Sequence, residues 1–90
     1  MADFSDATIL ASGDKMTLRH WDESEAVDGT LHTRPYETVG TVLEGSVELT
    51  VDGETTTLTK GDGYVVPAGA ERKYNVTDHL KAVEAITKGL

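Results

Sequence analysis

The sequence predicts an all-β domain that closes as a sandwich, a barrel or a jelly roll. Three observations carry this: short alternating runs rich in β-branched residues, Gly, Pro and Asp-Gly punctuation between them, and no segment with apolar residues at i, i+3 and i+4 over three helical turns. The first strand falls where Met16, Leu18 and His20 alternate with Thr17, Arg19 and Trp21, and the acidic stretch from Asp22 to Gly29 reads as a loop. Val47, Leu49 and Val51 alternate with Ser46, Glu48 and Thr50. Asp52-Gly53 follows them with the residue types that accept the positive φ angles of a tight hairpin. The returning strand, Glu54 to Thr59, is rich in Thr, whose branched side chain suits a pleated surface. Lys60-Gly61-Asp62-Gly63 breaks that strand, Tyr64-Val65-Val66 resumes one, and Pro67-Ala68-Gly69 turns the chain again. Arg72 to Val76 and Leu80 to Thr87 are the last two candidate strands.

Length and charge narrow the classes of function. With no internal repeat and no low-complexity linker, residues 1–90 form one domain. A chain this short buries only roughly 60% of its unfolded surface, so its stability margin is thin. That margin, together with sheet edges that need covering, predicts a homodimer. Sixteen acidic side chains against eight basic ones give a net charge of −8, which repels phosphate backbones and anionic headgroups. No nucleic-acid or membrane partner is expected. Cysteine is absent, which removes disulfides, a thiol nucleophile and thiolate metal sites. No apolar run approaches the ~18 residues of a membrane span. The start, Met1-Ala2-Asp3-Phe4-Ser5-Asp6, carries acids where a secretory signal carries basic residues, so a cytoplasmic location is expected.

Val42-Leu43-Glu44-Gly45, Lys60-Gly61-Asp62 and Val66-Pro67-Ala68-Gly69 stand in an order and at separations that resemble the small single-domain cupins. The resemblance covers a motif-bearing core of about residues 31–76 and implies a double-stranded β-helix, a jelly-roll barrel. It also implies two motifs, G-x5-H-x-H-x3-4-E-x6-G and G-x5-P-x-G-x2-H-x3-N, whose histidines and glutamate hold a metal inside the barrel. Counted back from Gly45, the glutamate position holds Thr38 and the histidine positions hold Arg34 and His32. Counted forward from Pro67, the last histidine position holds Arg72. Only His32 remains of that ligand set. Glu37 is one residue out of place, and on a strand that turns it away from the pocket unless a bulge near Pro35 rotates it inward.

A guanidinium offers five N–H donors, no acceptor, and a charge it does not shed near neutrality, so two of them in place of two imidazoles repel a cation. No metal cofactor is expected; the remaining donors, His32, His20 or His79 with a displaced Glu37, would hold a divalent ion weakly. If residues at the family's positions keep their inward direction, His32, Arg34, Tyr36 and Thr38 line one strand face and Arg72 with Tyr74 lines a facing one. Two guanidiniums then meet in one cavity, where a carboxylate, phosphate or sulfate could accept their paired hydrogen bonds. Pairing with Glu37, Glu71 or Glu84 would satisfy the same charges. Gly40 shares the parity of Thr38 and would either widen the cavity or mark a bend in the strand.

Three functions follow from these readings. The first is a metal-free binding barrel for a small anionic or polyhydroxylated molecule, held by His32, Arg34, Tyr36, Thr38, Gly40, Arg72 and Tyr74. The second is a small isomerase, epimerase or lyase of the kind cupins support, with His32 as acid/base and the arginines on an oxyanion. The third is a metal-dependent cupin oxygenase with a displaced ligand set.

Overall fold

In the computed structural model, which describes residues 7–87, every regular element is a β-strand. The order is β1 (Thr8–Ser12), β2 (Met16–Glu23), β3 (His32–Thr33), β4 (Thr38–Val51), β5 (Glu54–Thr59), β6 (Gly63–Val66) and β7 (Glu71–Thr87). β4 and β7, of 14 and 17 residues, pair antiparallel from Thr38↔Ile86 to Val51↔Arg72. Both flanks of this ribbon are used twice. One half of β7 pairs with β2 and the other with β3, while one half of β4 pairs with β6 and the other with β5. β1 extends the sheet beyond β2. The ribbon thus contributes to two layers, β1-β2-β7-β4-β6 and β3-β7-β4-β5, and the all-β barrel the sequence predicts is the result.

Two irregularities in β4 allow one ribbon to serve both layers. The register shifts between Val42 and Glu44 and again between Gly45 and Val47, and a bulged strand bends and gains twist. The first shift also changes which parity faces inward: Thr38 and Val42 are buried before it, Val47 and Leu49 after it. Gly45 sits in the bend with φ +82°, and a Cβ there would lie 1.9 Å from the carbonyl oxygen of His79 on the crossing strand. Only glycine accepts both the backbone angle and the contact.

The Asp52-Gly53 hairpin forms as expected, with φ of 47° and 88°. The two last candidate strands are one continuous strand. Residues 77–79, where a break was expected, are three successive exposed residues at a corner of β7, and no Gly or Pro stands there to end the ladder. The expectation that His32, Arg34, Tyr36 and Thr38 share one strand is also corrected. β3 ends at Thr33, and the chain leaves the ladder at Pro35, which has no N–H to give it. It then re-enters at the other end of β7: His32 pairs with Arg72, but Thr38 pairs with Ile86.

The interior is filled by Trp21, Val42, Val47, Leu49, Leu58, Val66, Tyr74, Val76, Leu80 and Ala82. On β2 the alternation runs opposite to hydrophobicity. Thr17 and Trp21 are buried and Arg19 points in with them, while Met16 and Leu18 are exposed. Among the described residues no helix is long and apolar enough to cross a membrane.

Candidate functional site

Polar side chains that the strand pattern turns inward collect between the two layers. Arg19 comes from β2, Thr38 from the start of β4, Tyr64 from β6, and Arg72, Tyr74 and Glu84 from alternate positions of β7, with Tyr36 supplied by the β3–β4 connection. Arg72, Thr38 and Glu84 are each 1% exposed. Buried polar groups of this kind persist only where their hydrogen bonds are made.

Glu84 is bonded through both oxygens. Arg19 Nε donates to Oε2 at 2.7 Å, with Nη2 in ion-pair contact with the same oxygen, and the Tyr64 hydroxyl donates to Oε1 at 3.0 Å. Burial opposes the charge on Arg19, but the adjoining Glu84 carboxylate outweighs it and holds the guanidinium pKa above its ordinary value. Arg72 is held differently. Nη1 donates to Thr38 Oγ1 at 3.2 Å, Nη2 to the carbonyls of Pro67 at 3.0 Å and Tyr36 at 3.4 Å, and Nε to the Ala70 carbonyl at 3.5 Å. Every one of these acceptors is neutral. The Tyr36 ring lies between the two cations, 5.5 Å from Arg19 Cζ and 5.7 Å from Arg72 Cζ, within the range of cation–π attraction. Arg19 Nη2 also donates to the Tyr36 hydroxyl at 3.4 Å.

The guanidinium that shares the Tyr36 ring with Arg72 is therefore Arg19, not Arg34. Arg34 is half-buried beyond β3 and its Nη1 donates to the Thr33 carbonyl at 2.9 Å. Glu84, one of three carboxylates considered as partners for Arg34 or Arg72, is taken by Arg19, and Glu37 and Glu71 are exposed. Gly40 does not widen a cavity. A Cβ there would stand 2.5 Å from the Tyr64 hydroxyl and ring and 2.9 Å from Glu84 Cβ, so the missing side chain is what lets Tyr64 reach Glu84.

His32 is half-buried, opposite Arg72 in register, with its ring 6.5 Å from that of Tyr74. Its Nδ1 lies 2.6 Å from the Thr30 carbonyl oxygen. A carbonyl can only accept, so Nδ1 carries the proton and Nε2 of the neutral ring keeps a lone pair. Tyr64 and Tyr74 have raised hydroxyl pKa values, in both cases through burial first and the Glu84 carboxylate second; at Tyr74 the charge and hydrogen bond of Arg72 act the other way. Both phenols stay protonated in the fold, whereas in the unfolded chain they ionise near pH 10. The stability they confer is thus present below that pH and lost above it. Unfolding free energies in urea should fall between pH 10 and 11.5 with a slope approaching ~2.7 kcal/mol per pH unit for two protons, and Tyr64→Phe should halve that slope. An unchanged slope in Tyr64→Phe would count against the buried Tyr64–Glu84 contact.

The positions that the cupin resemblance assigns to metal ligands hold a half-buried imidazole, Arg34, a Thr38 hydroxyl already engaged by Arg72, and Arg72 itself. This set does not fit a transition metal. The displaced donors do not assemble either: Glu37 is exposed, His79 is exposed beside Asp78, and His20 alternates with inward Arg19 and Trp21 and so lies on the outer face of β2. Among the described residues no group of three or more His, Asp or Glu side chains is placed to hold a metal ion.

The signal that would have found Arg19 and Glu84 was present in the sequence. Arg19 shares parity with Trp21, the one Trp of the chain, and Glu84 shares parity with Arg72 and Tyr74 along one uninterrupted strand. A motif-centred reading stops at Asn75, so it misses Arg19 and reaches Glu84 only as one of three carboxylates that could pair with Arg34 or Arg72.

A family model described as Cupin domain matches residues 20–86. None of the curated proteins matches the sequence. Among solved structures, an RmlC-like cupin from Shewanella frigidimarina NCIMB 400 superposes with a TM-score of 0.84 at 19% identity, over 92% of this chain and 75% of that one. KdgF from Halomonas sp. gives 0.83 at 19% identity, over 93% and 78% of the two chains. The EutQ protein of Clostridium difficile gives 0.76 at 15%, over 90% and 65%. At these identities the likeness is one of fold.

Proposed function

Because this chain belongs to the cupin domain family and turns guanidiniums instead of metal ligands into its barrel, we propose that it is a metal-independent cupin that binds a small anionic or polyhydroxylated molecule. The observation that carries this reading is the charge balance of the interior. Arg19 and Arg72 face inward against Glu84, the one buried carboxylate among the described residues, in a chain whose net charge is −8. An anion near Arg72 therefore gains from a positive charge that its neutral protein acceptors leave uncompensated. His32, half-buried opposite Arg72, and Arg34, half-buried just beyond β3, both outside the hydrogen-bond set of Arg72, are the contacts such a ligand meets first. Tyr36 acts on a ligand through the two arginines its ring meets, the buried Tyr74 backs the His32 ring, and Thr38 and Gly40 act through Arg72 and Tyr64.

Thermal-shift measurements with phosphate, succinate and glucose, against chloride at equal ionic strength, test the reading. At least one of the probes should raise the melting temperature in proportion to RT ln(1 + [L]/Kd), and His32→Ala and Arg34→Ala should abolish the rise. Shifts that are absent for every probe, or unchanged in both variants, would remove the proposed site. Metal-binding competence is read separately by elemental analysis of untagged protein; near-equimolar Fe, Mn, Ni, Zn or Cu would overturn the metal-independent part.

A second reading, a small isomerase, epimerase or lyase, is favoured by the tautomer of His32. With Nδ1 fixed on Thr30, Nε2 is the lone pair available to take a proton from a bound substrate. Proton exchange of a bound hydroxy acid with solvent deuterium, lost in His32→Gln, would favour it over binding alone.

A further inference from the structure

Arg72 can give a ligand charge but no hydrogen bond. A guanidinium has five N–H donors. Those of Arg72 go to the Ala70 carbonyl, Thr38 Oγ1, the Tyr36 and Pro67 carbonyls and the Tyr74 phenol, which takes a further bond from the same fork. All of these acceptors belong to the protein and none is a carboxylate. An anion at the mouth of the barrel therefore feels the positive charge of Arg72 without receiving a proton from it.

His32, opposite Arg72 in the β3–β7 pair, meets the same ligand with a lone pair. Its Nδ1 is bound to the Thr30 carbonyl at 2.6 Å, and Thr30 lies in a strap that is fastened on both sides. Before it, Val27 and Val76 exchange backbone hydrogen bonds of 2.9 and 2.8 Å, and Gly29 N donates to Asn75 Oδ1 at 2.7 Å. Gly29 lies so close to β7 that a Cβ would stand 2.0 Å from the Tyr74 carbonyl oxygen. After it, His32 and Thr33 enter the ladder. The strap thus holds the Thr30 carbonyl where it takes the Nδ1 proton, and Nε2 has no partner among the described residues. A carboxylate or sulfate oxygen placed on Nε2 would set one lone pair against another, and an ammonium would face the uncompensated charge of Arg72. A neutral hydroxyl meets neither obstacle, because it brings a proton and no charge.

We propose that the ligand of this barrel is a hydroxy acid, whose hydroxyl donates to His32 Nε2 while its carboxylate lies in the field of Arg72. The inference rests on the binding reading above and narrows it. A plain dicarboxylate brings the charge without the proton, and glucose brings the proton without the charge. A hydroxy acid brings both in one molecule, and the fixed tautomer of His32 is what makes the difference between them.

Calorimetric titration of the full chain with malate against succinate, and with lactate against propionate, tests the proposal, with glucose as the uncharged comparison. The members of each pair differ by one hydroxyl. Malate and lactate should bind about tenfold tighter than their partners, as expected for one hydrogen bond to an acceptor otherwise left bare, and tighter than glucose. His32→Phe, which keeps a ring and removes the lone pair, should bring malate to the level of succinate while the far-ultraviolet spectrum stays that of the parent. Equal affinities within both pairs, measured on the parent protein, would overturn the hydroxyl contact and leave an anion site standing. Glucose binding as tightly as malate would overturn the part given to the carboxylate. A preference for malate that persists in His32→Phe would also overturn the proposal, since the hydroxyl would then have another acceptor. Binding of none of these compounds would remove the site itself, and the inference with it.

Discussion

Glu84→Met should destabilise the fold by about 3–5 kcal/mol, enough to lower the melting temperature of a domain this size by roughly 15 °C or more. The substitution preserves volume, so the loss is electrostatic. It strands the Arg19 guanidinium and removes the acceptor of the Tyr64 hydroxyl, both of which now meet at the two Glu84 oxygens. A stability of only 5–15 kcal/mol is typical of single domains, and this one lies toward the small end. The ion pair itself should contribute far less than its breaking costs, because both charges were desolvated to make it. Arg19→Met/Glu84→Met, which removes both, should therefore recover most of the loss. Urea unfolding of the two single variants and the double variant closes the cycle. A Glu84→Met protein within 1 kcal/mol of the parent would mean that Arg19 finds another acceptor and that the network is not the polar centre of the barrel.

How much of this was legible in the sequence divides along physical lines. Turn chemistry was readable because it is local. Asp52-Gly53 has the backbone freedom its hairpin needs, and the register of β4 with β5 follows from it, from Val51↔Glu54 back to Ser46↔Thr59. The corner of β7 was not, since residues 77–79 carry no breaker and the bend is forced from β4, where Gly45 approaches the His79 carbonyl. The site was legible only in part, for a related reason. Motif counting reached Arg72 and Thr38, which touch each other, but it placed Arg34 where Arg19 stands. Arg19 belongs to β2, and only pairing with β7, Arg19↔Glu84, brings it into the cluster. A hydrophobicity rule would also have turned β2 the wrong way round, burying Met16 and Leu18 and exposing Arg19. That rule fails because this layer buries Arg19 and Glu84 as a polar cluster beside its apolar core and leaves Met16 and Leu18 on its outer face, and the pattern of one strand cannot report what the other side of its sheet will meet.

Arg72→Met and Arg72→Lys separate the charge of Arg72 from its shape. The guanidinium ties together the β3–β4 connection through the Tyr36 carbonyl, the β6–β7 turn through Pro67 and Ala70, and β4 through Thr38, reinforcing the Thr38↔Val66 pair and the backbone bond from Gly69 to the Arg34 carbonyl. Four hydrogen bonds to a charged donor are worth about 1.5–3 kcal/mol each. Set against them is the burial of a cation without a carboxylate, which costs several kcal/mol. The hydrogen bonds win by a few kcal/mol, so Arg72→Met should lower stability by about 2–5 kcal/mol while keeping the volume. Lysine keeps the charge but concentrates its donors at one point, and it cannot reach acceptors spread around a planar fork. Arg72→Lys should therefore melt no higher than Arg72→Met. Rescue by lysine would show that charge alone closes the two loops. If it fails, the position that the family resemblance gives to a metal ligand holds, in this chain, a tethered planar cation whose geometry shapes the mouth of the barrel where His32 and Arg34 stand.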